Sequence, residues 1–211
     1  MGAGTGLVSR LVARQLDSVV SFDISTGMLS VGRAAADREA HDSLVAVRGS
    51  PSNLPFPDAG FDLVTSQAML HHVTDQATVL TEMARVCAAS GQIIVSDMIA
   101  PADPALAALQ NHLESTRDPT HVRIMKYPAL ARILTEPGFT IGARVDTGVT
   151  LELEDWIDRA GTSPITTEAL RVEFANLQST ARDAFDVRVV GGTTTFGWPM
   201  TVLRAAREIR P

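Results

Sequence analysis

Met1-Gly2-Ala3-Gly4-Thr5-Gly6 opens the chain with glycine at every second position, and Leu7, Val8, Leu11, Val12 and Leu16 follow at helical spacing. The stretch reads as a glycine-rich turn between a strand and a helix. Glycine there lets the backbone take φ > 0 and approach a ligand with no Cβ in the way. The helix over about residues 7–16 aims unpaired N–H groups and the positive end of its dipole at that ligand. A turn of this kind follows a strand. The chain is therefore expected to be a form shortened at its N-terminus, with its start set at an internal methionine.

Outward from the turn, strand and helix signals alternate. Ser18–Asp23 is a short β-rich run ending in an acid, and Ser25 or Thr26 can cap a helix through about Arg38. Ser43–Arg48 is a second strand, closed by Gly49. Residues 50–60 hold three prolines and read as a loop. Phe61–Ser66 is a strand. Asp75 can cap a helix to about Ala88 with Val79, Leu80, Met83 and Val86 on one face. Gly91 ends it, and Gln92–Asp97 reads as a central strand buried on both faces. Alternation of this kind implies a Rossmann-like, doubly wound, mostly parallel α/β sheet, here without its first strand. Ligands of such sheets lie at the carboxyl ends of the strands. Asp23, Ser50, Ser66, Gln67 and Asp97 all fall at or just past those ends.

Beyond Asp97 the pattern changes. Residues 101–116 are helical in part, and 117–123 form a polar loop. Pro128 starts a helix to Thr135, and Phe139–Thr147 is a strand. Leu153–Ala160 and Thr166 to about Ala184 read as helices. Val187–Val190, a Gly191-Gly192 turn and a strand within 196–205 suggest a late antiparallel hairpin. The expected organisation is one domain over 1–211, with a ligand-binding half to residue 101 and substrate-side helices and closing strands over 102–211.

The bulk composition narrows the function classes. Lys and Arg number 18 against 24 Asp and Glu, a formal charge of −6, which argues against nucleic acid as the main partner. Cys87 is the single cysteine, so neither an intramolecular disulfide nor a cysteine zinc cluster can form. A reducing, cytoplasmic setting suits that usage. No apolar run reaches membrane-spanning length. A homodimer is one assembly open to the chain.

Gly2-Ala3-Gly4-Thr5-Gly6, Asp23, the loop Leu54-Pro55-Phe56-Pro57-Asp58-Ala59-Gly60-Phe61-Asp62, Leu70-His71-His72-Val73, Glu82-Met83-Ala84-Arg85-Val86 and Gly91 occur together and in this order. In that combination the chain resembles the class I S-adenosylmethionine-dependent methyltransferases, the ubiquinone/menaquinone-biosynthesis type in particular. The resemblance covers about residues 1–101. It implies transfer of a methyl group from S-adenosylmethionine to a small-molecule acceptor. Gly2, Ala3, Gly4 and Gly6 would meet the amino-acid end of the cofactor, Asp23 the ribose, and Ile24 and Met28 the adenine or the core. An acid that commonly follows Gly49 in the family is replaced by Ser50-Pro51, whose hydroxyl makes a weaker bond than a carboxylate. Gln67 would line the methionine side. A shortened chain is expected to hold the cofactor weakly or not at all, and a non-catalytic binding module is the alternative. A nicotinamide-dependent dehydrogenase shares the glycines and Asp23, but the Gly2-x-Gly4-x-Gly6 spacing and the Leu54–Asp62 loop argue against it.

Catalytic candidates are His71, His72, His121 and Arg123. His71 and His72 are adjacent and point apart on any regular element, so they form a poor metal pair and no metal is expected. Each histidine has a plainer reading as a group that satisfies a helix or loop. His121 and Arg123 sit in the polar loop and either contact substrate or are solvated there. Asp97 orients a substrate or caps a turn before Pro101. Asp23 serves as ribose acceptor, as helix cap, or as both. Trp156, Trp198 and Cys87 read as core.

Overall fold

The computed structural model describes residues 1–41 and 43–207. Its β-branched runs pair in two groups. β1 (Val19–Asp23) and β2 (Leu44–Arg48) are parallel, with Val19 opposite Leu44. In the second group β3 (Phe61–Gln67) runs parallel to β4 (Cys87–Met98). β4 is antiparallel to β7 (Thr193–Arg207), which in turn is antiparallel to β5 (Phe139–Glu152) and to the short hairpin strand β6 (Arg188–Val190). The late hairpin lies where the Gly191-Gly192 turn places it.

No strand pairs β1 with β3 among the described residues. The opening residues bridge them instead. The Met1 nitrogen donates to the Thr65 carbonyl at 2.6 Å, and Ala3 N–H donates to the Phe22 carbonyl at 3.0 Å. A cavity of about 100 Å³ lies behind the bridge, lined by Val20, Phe22, Leu54, Phe61 and Val64.

Helix starts follow their caps. Ser25 Oγ accepts Met28 N–H to open α2 (Thr26–Arg38), after α1 (Leu7–Ala13). Asp75 accepts Thr78 N–H to open α3 (Gln76–Val86). Asp103 accepts Ala105 and Leu106 N–H ahead of α4 (Pro104–Arg117), with proline in the first turn, where its missing N–H has no cost. α5 (Tyr127–Thr135), α6 (Leu153–Asp158), α7 (Pro164–Ala175) and α8 (Ser179–Ala184) complete the set.

Two cores result. Val79, Leu80, Met83 and Val86, the apolar face of α3, pack on Ile93, Val95 and Leu203 together with Leu130 and Leu134 of α5. Each such side chain contributes about 1.5–3 kcal/mol on burial. A second core gathers Trp156, Phe174, Phe185, Phe196 and Trp198 between α4, α6, α7 and β7. There the buried Glu114 carboxylate accepts both indole N–H groups and Arg117, so the polar atoms of the tryptophans are satisfied inside the core.

Three sequence expectations are corrected. Residues 166–184 form two helices, because the chain turns at Asn176–Gln178 so that both Phe174 and Phe185 reach the second core. β5 continues to Glu152, since β7 offers it a partner along its whole length. The apolar spacing of α1 does not become a buried face: Leu7, Leu11 and Leu16 stay exposed, and only Val12 and Ala13 pack, against Val19, Ala36 and Leu44.

Candidate functional site

The carboxyl ends of β1 and β3 and the glycine turn meet at one cleft of about 560 Å³. Gly2, Gly4 and Gly6 all take positive φ, at 59°, 53° and 72°. A Cβ on Gly2 would lie 2.3 Å from Met69 Cγ, so glycine is required there by contact as well as by conformation. A Cβ on Gly4 would meet nothing within 4 Å, because Gly4 faces the open cleft. Gly6 is the N-cap of α1 and packs on Gly32 of α2. Gly32 is a requirement the helix reading missed: a Cβ there would come within 3.1 Å of the Thr5 carbonyl.

Asp23 ties these parts together. Its Oδ2 accepts Gly4 N–H at 2.8 Å and its Oδ1 accepts Ser25 N–H at 2.8 Å. The carboxylate thus holds both the glycine turn and the start of α2, while Ser25 supplies the cap itself. Beside it Ile24 and Met28 leave large apolar side chains 62% and 48% exposed, with Pro51 on the same wall. Ser50 does not line this cleft; its Oγ accepts Ser52 N–H. Ala3 and Gln67 line an adjoining pocket of about 230 Å³ on the far side of the glycine turn.

The opposite wall is built from Asp97. It is buried at the end of β4 and accepts four donors: Met69 and Leu70 N–H at Oδ2, Met98 N–H and His71 Nδ1 at Oδ1, the last at 2.5 Å. Asp97 therefore caps the turn at Leu70–His72, a short 3-10 segment, and not a turn before Pro101. A carboxylate only accepts, so His71 carries its proton on Nδ1. Ala68, just before this turn, has φ 47°, a left-handed conformation that costs a non-glycine residue about 1 kcal/mol or more. Ala68 and Met69 both line the cleft, and nothing in the residue types marks them.

The His71 carbonyl accepts Val122 and Arg123 N–H at 2.8 and 3.0 Å, which pins the 117–123 loop over the cleft. Gln76 strengthens the attachment by donating to the Leu70 and Arg123 carbonyls and accepting from the Arg123 guanidinium. Arg123 is thereby turned onto Gln76. His72 and Thr120 reach the cleft, and Thr120 Oγ1 lies 3.0 Å from His72 Nδ1. His121 is buried under the loop, with Nε2 3.1 Å from Asn111 Oδ1. The imidazole rings of His71, His72 and His121 lie 4.2–6.5 Å apart. Among the described residues no group of His, Cys, Asp and Glu is arranged to hold a metal ion.

Burial, and then the neighbouring His71 and His72, push the His121 imidazole down to about 4. The sign follows directly. Between about pH 4 and 6.5 the unfolded chain binds a proton at this site and the folded chain does not. Stability therefore falls as pH drops through that window. The loss between pH 7 and pH 5 should be roughly 2 kcal/mol. Urea unfolding at both pH values should show it, and His121→Asn should flatten the difference.

The loop at 54–60 is organised from α3. Arg85 donates to the Leu54 and Phe56 carbonyls, to Asp58 and to Glu82, and Glu82 accepts Leu54 N–H at 2.7 Å. The Arg85 hydrogen bond holds the Glu82 carboxyl below its usual range. Two separated sequence features, the proline-rich loop and Glu82-x-x-Arg85, are one structural unit.

Residues 1–95 match the family model described as a methyltransferase domain. The whole fold superposes on a methyltransferase structure from Bacillus halodurans C-125 with a TM-score of 0.90 at 27% identity, covering 97% of this chain and 89% of that one. The fold is that of a class I S-adenosylmethionine-dependent methyltransferase. The chain is 26% identical over 185 residues to the uncharacterized methyltransferase YcgJ of Bacillus subtilis, across 88% of this chain and 73% of the relative. It is 42% identical over 99 residues to the ubiquinone/menaquinone biosynthesis C-methyltransferase UbiE of Xanthomonas campestris, across 44% of this chain and 38% of that one. Likeness to the UbiE type is thus concentrated in part of the chain, while likeness to YcgJ runs through most of it. No helix among the described residues is long and apolar enough to cross a membrane.

Proposed function

We propose that the chain binds S-adenosylmethionine in the 560 Å³ cleft and transfers its methyl group to a small-molecule acceptor. The observation that carries this reading is the cleft's layout. A carboxylate, Asp23, stands between a glycine-lined floor and two exposed apolar side chains, Ile24 and Met28. That order suits a ligand with an amino-acid end, a ribose and a purine. The purine would cover Ile24 and Met28, and Asp23 retains lone pairs for ribose hydroxyls. Gly2 and Gly4 let the backbone approach the amino-acid end, with Ala3 and Gln67 on the adjoining side.

When bound, S-adenosylmethionine supplies an activated methyl group on a sulfonium. The residues of the chain then orient the acceptor and exclude water, and the 117–123 loop stands where a cover is needed. The fragrance of nucleic-acid binding is missing from the charge balance of −6, which supports a small molecule as acceptor.

Isothermal titration of the full chain with S-adenosylmethionine tests the proposal. A single site with a dissociation constant of about 1–100 μM is expected, in the range enzymes commonly show for their substrates. Heat indistinguishable from dilution at millimolar cofactor would end it.

A further inference from the structure

We propose that His72 is the proton acceptor of this site, set in one tautomer by Asp118 through Thr120, and that the methyl acceptor is a compound that must lose a proton on methylation. The inference rests on the reading of the cleft as the S-adenosylmethionine site. Its basis is a chain of hydrogen bonds with one consistent direction.

Asp118 Oδ1 accepts both Thr120 N–H at 2.8 Å and the Thr120 hydroxyl at 2.7 Å. A hydroxyl has a single proton, and a carboxylate can only accept it. Thr120 Oγ1 is then left with lone pairs towards His72 Nδ1, 3.0 Å away. The imidazole must donate there, so its proton sits on Nδ1. Its Nε2 is the unprotonated nitrogen, without a hydrogen-bond partner among the described residues, on a side chain that lines the cleft. Nothing comparable holds for the neighbours. His71 is buried against Asp97, and His121 Nε2 faces Asn111.

The charged surroundings keep His72 ready to accept. Burial and the His71 ring lower its proton affinity, while the bond to Thr120 and the carboxylates Asp118 and Asp97 act in the opposite direction. His121 is the remaining titratable group against this cluster, and it is held neutral near pH 7. The imidazole of His72 is therefore neutral at pH 7, and Asp118 stands ready to stabilise the imidazolium through Thr120 once it forms.

The step balances. The acceptor's X–H proton passes to His72 Nε2, and the electron pair left on X forms the new bond to the methyl carbon. The carbon–sulfur bond breaks with its pair returning to sulfur, and the His72 imidazolium later releases its proton to water. An acceptor with no proton to lose, such as a tertiary amine or a thioether, has no use for this base. His72 is the catalytic residue in this proposal, and Thr120 and Asp118 are positioning residues.

Two measurements decide it. The first uses the full chain with ¹⁵N-labelled histidine and long-range ¹H–¹⁵N spectra from pH 5 to 9, with and without S-adenosylhomocysteine. Neutral His72 should be the Nδ1–H tautomer, and Thr120→Val should release it to a mixture of both. An Nε2–H tautomer in the native chain, or one unmoved by Thr120→Val, overturns the relay. The second follows S-adenosylhomocysteine release from S-adenosylmethionine with two acceptor sets, proton-bearing phenols and amides against tertiary amines and thioethers. Turnover should be confined to the first set, and His72→Ala should lower it at least about 100-fold, the lower end of general-base effects. Asp118→Asn should move the pH profile of kcat/KM while leaving affinity for S-adenosylhomocysteine within about threefold, as Asp118 stands behind Thr120 and does not itself line the cleft. Methylation of the second set, turnover indifferent to His72→Ala, or no turnover by a chain that binds S-adenosylhomocysteine overturns the base. A chain that fails to bind S-adenosylhomocysteine at all overturns the cofactor reading, and with it this one, and the titration distinguishes that failure from the others.

Discussion

Asp97→Ala should destabilise the chain by about 3–5 kcal/mol and loosen the cleft at the same time, the range for removing one member of a buried charged network. The reason is the number of donors left behind. Met69, Leu70 and Met98 N–H and His71 Nδ1–H all converge on this one buried carboxylate. A buried donor without a partner costs about 1–3 kcal/mol, and not all four can turn to water. For a chain of this size the loss should lower the thermal midpoint by about 10 °C or more. Asp97→Asn keeps the shape and one acceptor oxygen, so it should fall between. The effect should spread through the attachments of the turn, because His71 holds the 117–123 loop by two backbone bonds. Urea unfolding, paired with titration of S-adenosylhomocysteine, measures both parts. A loss below about 1 kcal/mol would mean that the turn is held by packing of Leu70 and not by Asp97.

Asp23→Ala should weaken S-adenosylmethionine binding by about 100-fold, which corresponds to about 2.7 kcal/mol. Two losses combine. A hydrogen bond from a ribose hydroxyl to a carboxylate is worth about 1.5–3 kcal/mol. The same carboxylate also accepts Gly4 N–H and Ser25 N–H, so its removal frees the glycine turn from α2. Ser25→Ala separates the two contributions. It removes the α2 cap and should cost stability of about 1 kcal/mol with little change in cofactor affinity. Asp23→Ala binding within about threefold of the native chain would show that the ribose lies elsewhere.

The element pattern was legible because each piece carries its own local signal. Alternating β-branched runs, the caps Ser25 and Asp75 and the Gly191-Gly192 turn act within a few residues. Local preference and tertiary packing agree at those places. Gly91, by contrast, does not end α3, which stops at Val86 and leaves Gly91 inside β4. The break at Asn176–Gln178 was not legible, because it is imposed by the need of Phe174 and Phe185 to enter one core. The exposure of Leu7 and Leu11 was not legible either, since spacing shows that a face exists and not that anything covers it.

By itself the sequence determined the glycine turn, the acid after β1, the order of strands and helices, and the family likeness that these residues carry together. Such features depend on backbone conformation and on neighbours close along the chain. The tertiary structure alone decided what meets across long separations. It placed Arg85 under the Leu54–Asp58 loop, Asp97 beneath the Leu70–His72 turn, Gly32 against Thr5, and Thr120 beside His72. It also separated the four polar candidates that adjacency in the chain had left equivalent: His72 faces the cleft, His71 is fixed to Asp97, His121 is buried on Asn111, and Arg123 is turned onto Gln76. The physical reason is the direction of hydrogen bonds. Which nitrogen of a histidine carries its proton, and whether a side chain meets solvent or a partner, depends on groups dozens of residues away that only the folded sheet brings within 3 Å.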